Sequence, residues 1–245
     1  MIIQDNGRFF TFVRQHDHGL LSGEIAAHWG NSIFTIPKHN LVMTTALHDL
    51  SWIESDRILQ WNNKENRPHD FTSLPIKAKL PMYQEGLNRT ERLNPYGALL
   101  TSKHYCSFLR KGQDRSIDRF LQEEQNRRER LRLNLTYFGD SLDSDLRNLQ
   151  LWDNLSLYVC LNRPGAKKNE EHPWFRNGIK AVSKMGESVK IHLRWLNERT
   201  ISLKPFPFGE SWSTTFPRSK VRKSLGTADP DTGNKIHQHI CFIPG

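Results

Sequence analysis
The stretch LDSDLRNLQLWDNLSLYVCL, residues 142–161, reads as the strongest helix in the chain. At 3.6 residues per turn, Leu146, Leu149, Leu157 and Cys160 share a face with Asp153. An isolated carboxylate on so apolar a face would cost several kcal/mol to bury. Asp153 therefore needs a metal ion, a cation or dense hydrogen bonding; a salt bridge or a helix-to-loop hydrogen bond would also satisfy it.

Further helices are expected upstream. Leu21, Ile25 and His28 recur at i, i+4, i+7 within 19–29, where Gly30 stops a short helix. Val42, Ala46 and Asp49 share a face of a second, over 41–53. Helices over 81–93 and 96–110 are separated at Asn94-Pro95, because proline cannot continue the first. Residues 115–132 form a charged helix; eight basic and five acidic residues across 110–132 nearly balance, which suits a solvated face better than an RNA-binding one. The polar, Pro-punctuated stretch 62–80 reads as a loop. Residues 1–14 read as a short hairpin. SVKIHLRW, TISLKPFPF, STTFPRSKVR and KIHQHICFI, all beyond residue 187, alternate apolar and polar positions and predict three to five short antiparallel strands. The expected architecture is mainly α: a helical domain over 1–180 that includes the N-terminal hairpin, and a small antiparallel β appendage over 181–245 packed on it.

The chain of 245 residues is long enough for a buried core, and its 7 Trp, 13 Phe and 5 Tyr argue against global disorder despite a 36% apolar fraction. No apolar run of membrane-spanning length occurs, and the first residues lack a signal-peptide pattern. Cys106, Cys160 and Cys241 are too dispersed for a disulfide framework or a zinc knuckle, so a cytoplasmic, reducing setting is expected. The formal charge is +9, and residues 180–245 hold 11 Lys and Arg against 5 Asp and Glu. That surplus could draw nucleic acid or a phosphorylated small molecule, or serve only solubility.

Three other segments place histidine or aspartate where helices are expected: Gln15-His16-Asp17-His18, His48-Asp49 within TALHDLSW (45–52), and His104 within NPYGALLTSKHY (94–105). Each lone histidine could be a satisfied core residue. Together with Asp153, four helices offering imidazole or carboxylate to one interior suit zinc, iron, manganese or nickel. His69-Asp70 follows a proline and reads as a loop hydrogen-bonding pair. His237 and His239 alternate on a strand and read as surface residues, and His28 could support His18 from behind. The glycine-rich, nucleophile-elbow and HExxH motifs are absent, which removes their mechanisms.

The order His, His-Asp, His, Asp resembles the HD-domain superfamily of metal-dependent phosphohydrolases, which bind metal in an all-helical core. The resemblance implies that His18 (or His16), His48, Asp49 and Asp153 ligate a first metal and that His104 serves a second. A closer resemblance, carried by QHDHGLLSGEIAAHWG (15–30), TALHDLSW, HDFTSLP (69–75), NPYGALLTSKHY, LQLWDNLSLYVCL (149–161) and KPFPF (204–208), is to an uncharacterised bacterial domain-of-unknown-function family that looks like a divergent HD member. Where that family has Gly before the tryptophan of TALHDLSW, this chain has Ser51, which narrows local packing.

Divalent metals activate water and neutralise phosphoryl charge. The expected function is thus hydrolysis of a phosphoester on a small or nucleotide-like molecule, with Asp49 catalytic and Arg14, Lys103 and Arg89 as candidate phosphate clamps. An HD-type di-iron oxygenase keeps the same ligands and changes the chemistry. A non-catalytic alternative is a nucleic-acid or protein-binding module, using the aromatic and basic residues of Lys204–Phe208 and Arg218–Lys223.

Overall fold
The computed structural model describes residues 1–135, 141–223 and 233–245. The central helix has the expected bounds: α7 is Leu142–Leu161, and between Leu151 and Cys160 it is buried nearly all round. A helix without a solvated face must be packed on several sides at once, and α7 packs against α1 (Gln15–His28), α2 (His39–Leu47), α5 (Pro95–Cys106) and a β-sheet.

That sheet overturns the mainly-α expectation. The structure has 43% helix and 24% strand, with a large curled sheet rather than a small appendage. Its strands are β1 (Ile2–Asp5), β2 (Phe9–Val13), β5 (Ile179–Val182), β6 (Ser188–Asn197), β7 (Thr200–Lys204), β8 (Trp212–Arg222) and β9 (Asn234–Pro244), in the order β1-β2-β8-β9-β7-β6-β5. The N-terminal hairpin is not separate, because Phe9–Phe12 pair antiparallel with Arg222–Ser219. The sheet is mixed rather than antiparallel, since β7 runs parallel to β9. Alternation explains which face is inside: Ile191, Leu193 and Trp195 of β6 are buried while their neighbours are exposed, and these rings and branches join the core built on Trp152 and Tyr158. The stretch 62–80 is not all loop: a second strand pair, β3 (Trp61–Asn62) and β4 (Arg67–Pro68), occupies its start, and residues 76–80 already belong to the following helix.

The remaining helices are α3 (Trp52–Ser55), α4 (Ile76–Leu93) and α6 (Arg115–Asn134). Asn94 ends α4 and caps α5, accepting from the Gly97 N–H at 3.0 Å with Pro95 in the first turn. The single helix expected over 41–53 is instead two. His48 caps α2, and the bonds Leu50 N–H to Leu47 O and Trp52 N–H to Asp49 O tighten residues 47–52 into a turn before α3. Close backbone approach holds this turn in place. A Cβ on Gly23 of α1 would lie 2.4 Å from that of Ala46, and one on Gly86 of α4 would lie 2.2 Å from that of Ser51. Among the described residues no helix is long and apolar enough to cross a membrane.

Candidate metal centre
Bringing α1, the α2–α3 turn, α5 and α7 together gathers His18, His48, Asp49, His104 and Asp153 in one buried cluster. His18 Nε2 is 2.9 Å from Asp153 Oδ1 and 3.8 Å from Asp49 Oδ2. His48 Nε2 is 3.5 Å from each of the same two oxygens. Around an ion bonded to N and O at about 2.0–2.2 Å, neighbouring ligand atoms stand roughly 3.0–3.5 Å apart. The potential ligand atoms fall into two groups of three that share His48, namely His18, His48 and Asp49, and His48, His104 and Asp153. His104 Nε2 lies 3.7 Å from the other Asp153 oxygen, so Asp153 faces two positions.

The far side of the His18 and His48 rings fixes their direction. His48 Nδ1 donates to Thr45 O at 2.7 Å, and His18 Nδ1 is 2.7 Å from Ser156 Oγ, which donates to Asp153 O. Ser22 Oγ extends this network at 2.6 Å from Ser156 Oγ. Such outer partners hold the ring and leave Nε2 for the centre. His48 Nε2 is buried and has no hydrogen-bond partner among the described residues. A buried, unpaired ring nitrogen beside two carboxylates has the chemistry of a ligand.

The charges respond to this crowding. Burial opposes protonation of His48, yet Asp49 and then Asp153 raise its pKa to about 9. Burial raises Asp49, partly offset by His48 and His18. Asp153 feels the same burial, but its contacts with His18 and His48 prevail and hold it well below the usual carboxylate range. The two aspartates diverge because only Asp153 receives a short bond from His18. Burial, aided by the nearby His48 and His18, pushes His104 down to about 3, leaving a neutral ring.

A cavity of about 360 Å³ opens from the cluster. Tyr83 and Tyr105 stack at 4.1 Å on one wall, and the Tyr105 hydroxyl donates to His48 O. Ser51 meets that hydroxyl at 2.5 Å while its Cβ sits against Gly86, so the serine of TALHDLSW fills the space the sequence suggested would narrow. Gln15 Nε2 donates to Asp49 Oδ2 at 3.3 Å. Phe71, Phe108 and Trp174 line the mouth with Gln150 and Asn154, and Lys79 is the cation among the described lining residues.

Several residues singled out in the sequence lie elsewhere. His16 is outside the cluster. Arg14 lines another cavity, beside Asp17. Lys103 pairs with Asp143, and Arg89 with Glu85 on the outer face of α4. His28 stacks on Trp212 at 3.9 Å, away from His18. Asp70 accepts from the Thr72 and Ser73 N–H groups within its own loop, and His237 and His239 are exposed. Phe208 is buried and Phe206 packs on it, so both rings belong to the core. The cavity residues that the sequence reading missed are Lys79, Tyr83 and Trp174. Lys79 and Tyr83 share a face of α4 at i, i+4, a spacing that could have paired them, whereas Trp174 comes from a loop with no periodic signal.

The sequence model of a family described as "Protein of unknown function (DUF3891)" matches residues 1–223, which contain all five residues of the cluster. No curated protein and no solved structure matches the chain.

Proposed function
We propose that this chain, which belongs to the DUF3891 family, is a metal-dependent hydrolase acting on a phosphoester of a small molecule. The HD-domain resemblance guides the assignment of ligands: His18, His48, Asp49 and Asp153 for one zinc, iron, manganese or nickel ion, with His104 and the second Asp153 oxygen toward another. The observation that carries the reading is the pair of imidazoles whose Nδ1 atoms are engaged outward while both Nε2 atoms turn to two buried carboxylates. A divalent ion bound there lowers the pKa of water to about 7 and neutralises charge on a phosphoryl oxygen.

The chain's own groups would do the rest. Lys79 borders the same cavity, its ammonium donating to Thr72 O at 3.3 Å, and would supply the charge for a phosphate oxygen bound there, a role the sequence suggested for Arg14, Lys103 or Arg89. Gln15 fixes the orientation of Asp49. Phe71, Phe108 and Trp174 shield the mouth and give an apolar surface for the organic part of the substrate. The three unpaired cysteines agree with a reducing compartment such as the cytoplasm.

Hydrolysis of a panel of phosphomonoesters and phosphodiesters by metal-loaded protein tests this reading. Lys79→Ala is expected to raise KM by roughly tenfold or more, the loss of one charge-assisted contact, with metal content unchanged. No turnover of any phosphoester, or turnover indifferent to Lys79, contradicts it. Because His104 offers a further neutral ligand, a di-iron oxygenase is the second reading. A mixed-valence paramagnetic signal after anaerobic iron loading, with no phosphoester turnover, would select it.

A further inference from the structure
The solvent face at the β5 end of the sheet carries one sign of charge. Lys180 of β5 stands directly opposite Lys190 of β6, and one step along the same face His192 stands opposite Lys204 of β7. Arg194 continues the row on β6. All five residues are exposed, while the other face of β6 gives Ile191, Leu193 and Trp195 to the core. The three strands contain no Asp or Glu. The acidic residues nearest to β6 in sequence, Glu187 and Glu198, lie in the turns at its two ends. Lys180, Lys190, Arg194 and Lys204 form no ion pair among the described residues.

Such a face is unfavourable when left to itself. Like charges directly opposite in an antiparallel ladder, with Cβ atoms about 4.5–5.5 Å apart, destabilise it. A lysine on an edge strand wards off pairing with other chains, which accounts for Lys180, because β5 ends the sheet. It does not account for Lys190, Arg194 and Lys204, whose strands are interior. A partner with regularly spaced negative charge turns this repulsion into attraction. From Lys190 to Arg194 the row runs about 14 Å at roughly 3.4 Å per residue, the length of about four phosphates along one strand of a duplex. The same strands expose no Phe, Tyr or Trp on which an unpaired base could stack. Between Lys190 and Arg194 the exposed row also lacks a large apolar side chain to enter a lipid layer.

We infer that this face binds the sugar–phosphate backbone of double-stranded nucleic acid, without reading its sequence, through Lys180, Lys190, Arg194 and Lys204. The inference uses no residue of the metal centre or of its cavity, so it stands apart from the hydrolase reading.

Fluorescence anisotropy of short labelled DNA and RNA duplexes, titrated with the full chain over a series of salt concentrations, tests it. Saturable binding of one or both duplexes is expected, with a logarithmic salt slope of about −3 to −4, or roughly 0.9 per phosphate contacted. Lys180→Gln combined with Lys190→Gln should weaken binding at least tenfold at low salt and reduce the slope by about 1.8. Its urea midpoint should stay level or rise, because the opposed charges are gone. Lys77→Gln combined with Lys111→Gln removes the same charge from exposed positions elsewhere and should bind as the unaltered chain does. The inference is overturned if neither duplex binds saturably, or if single strands of the same sequence bind more tightly than the duplexes. Equal loss of affinity in the two double variants would overturn it too, since the net charge of +9 would then be the cause. Capture on phosphatidylserine vesicles that excess duplex does not compete away, and that the Lys180→Gln, Lys190→Gln variant loses, would assign the face to a membrane instead.

Discussion
His18 Nε2 lies 2.9 Å from Asp153 Oδ1, although 135 positions separate the two residues. The contact joins α1 to α7 through two groups that water would otherwise solvate, at a place where both are buried. A histidine and an aspartate so placed could be a plain ion pair. His48, Asp49 and His104 lie close by, and the Nδ1 atoms of His18 and His48 are already engaged outward, an arrangement that could hold a metal ion.

The outer partner of His18 should matter for the metal without touching it. Ser156→Ala removes the oxygen 2.7 Å from His18 Nδ1. We expect the fold to persist and metal affinity to fall roughly 10- to 100-fold, measured by competition with a chromophoric chelator. Unchanged affinity would mean that the hydroxyl does not set the ring.

Helix approach should be equally sensitive. Gly23→Ala places a Cβ 2.4 Å from the Ala46 Cβ, so α1 and α2 must separate. Overpacking of this kind costs roughly 1–3 kcal/mol. Urea unfolding should show that loss, and metal uptake should drop with it, because His18 and His48 ride on the two sides of this contact.

At the cavity mouth, Trp174 is 55% exposed and meets Phe71 edge-on at 6.3 Å. Trp174→Ala should leave stability within about 0.5 kcal/mol and metal content intact. If the ring receives the substrate's organic part, KM for a phosphoester with an aromatic group should rise while that for a compact aliphatic one stays nearly constant. Equal effects on both would remove Trp174 from recognition.

Acid should loosen the junction of α4 and α6. Glu91 bonds Arg130 and Arg127, and those contacts hold its carboxyl below the ordinary 4.5. A depressed carboxylate stabilises the fold above its unfolded pKa, and that contribution is lost as pH falls through the folded value. Glu91→Gln should therefore lower stability at pH 7 by about 1 kcal/mol or less after solvent screening, and make no difference well below pH 4, as read by denaturant midpoints at each pH.

Local periodicity carried much of this architecture. It delimited α7 and the break at Asn94-Pro95, and it put His18, His48, His104 and Asp153 on elements that do converge. What it could not carry is pairing across long separations. Phe9–Phe12 alternate as any hairpin strand would, and nothing in them announces Ser219–Arg222 as partners. A hairpin and a group of late strands therefore read as two small pieces, when they form one sheet against α7. The same limit hid Lys79, whose helix faces the cluster only once the tertiary packing is complete, and made Arg14 look close because it is close in sequence. His48-Asp49 looked helical because its neighbours Val42 and Ala46 are, but the tight contact of Ser51 with Gly86 accompanies a turn there.

The most direct test is the metal content of the protein itself. Elemental analysis of freshly purified chain, prepared without chelators, should find one or two equivalents of zinc, iron, manganese or nickel, and His48→Ala and Asp153→Ala should lose them while retaining native circular dichroism. A metal-free protein that also refuses all four ions on reconstitution, or a His48→Ala variant that holds metal as the unaltered chain does, would contradict the account.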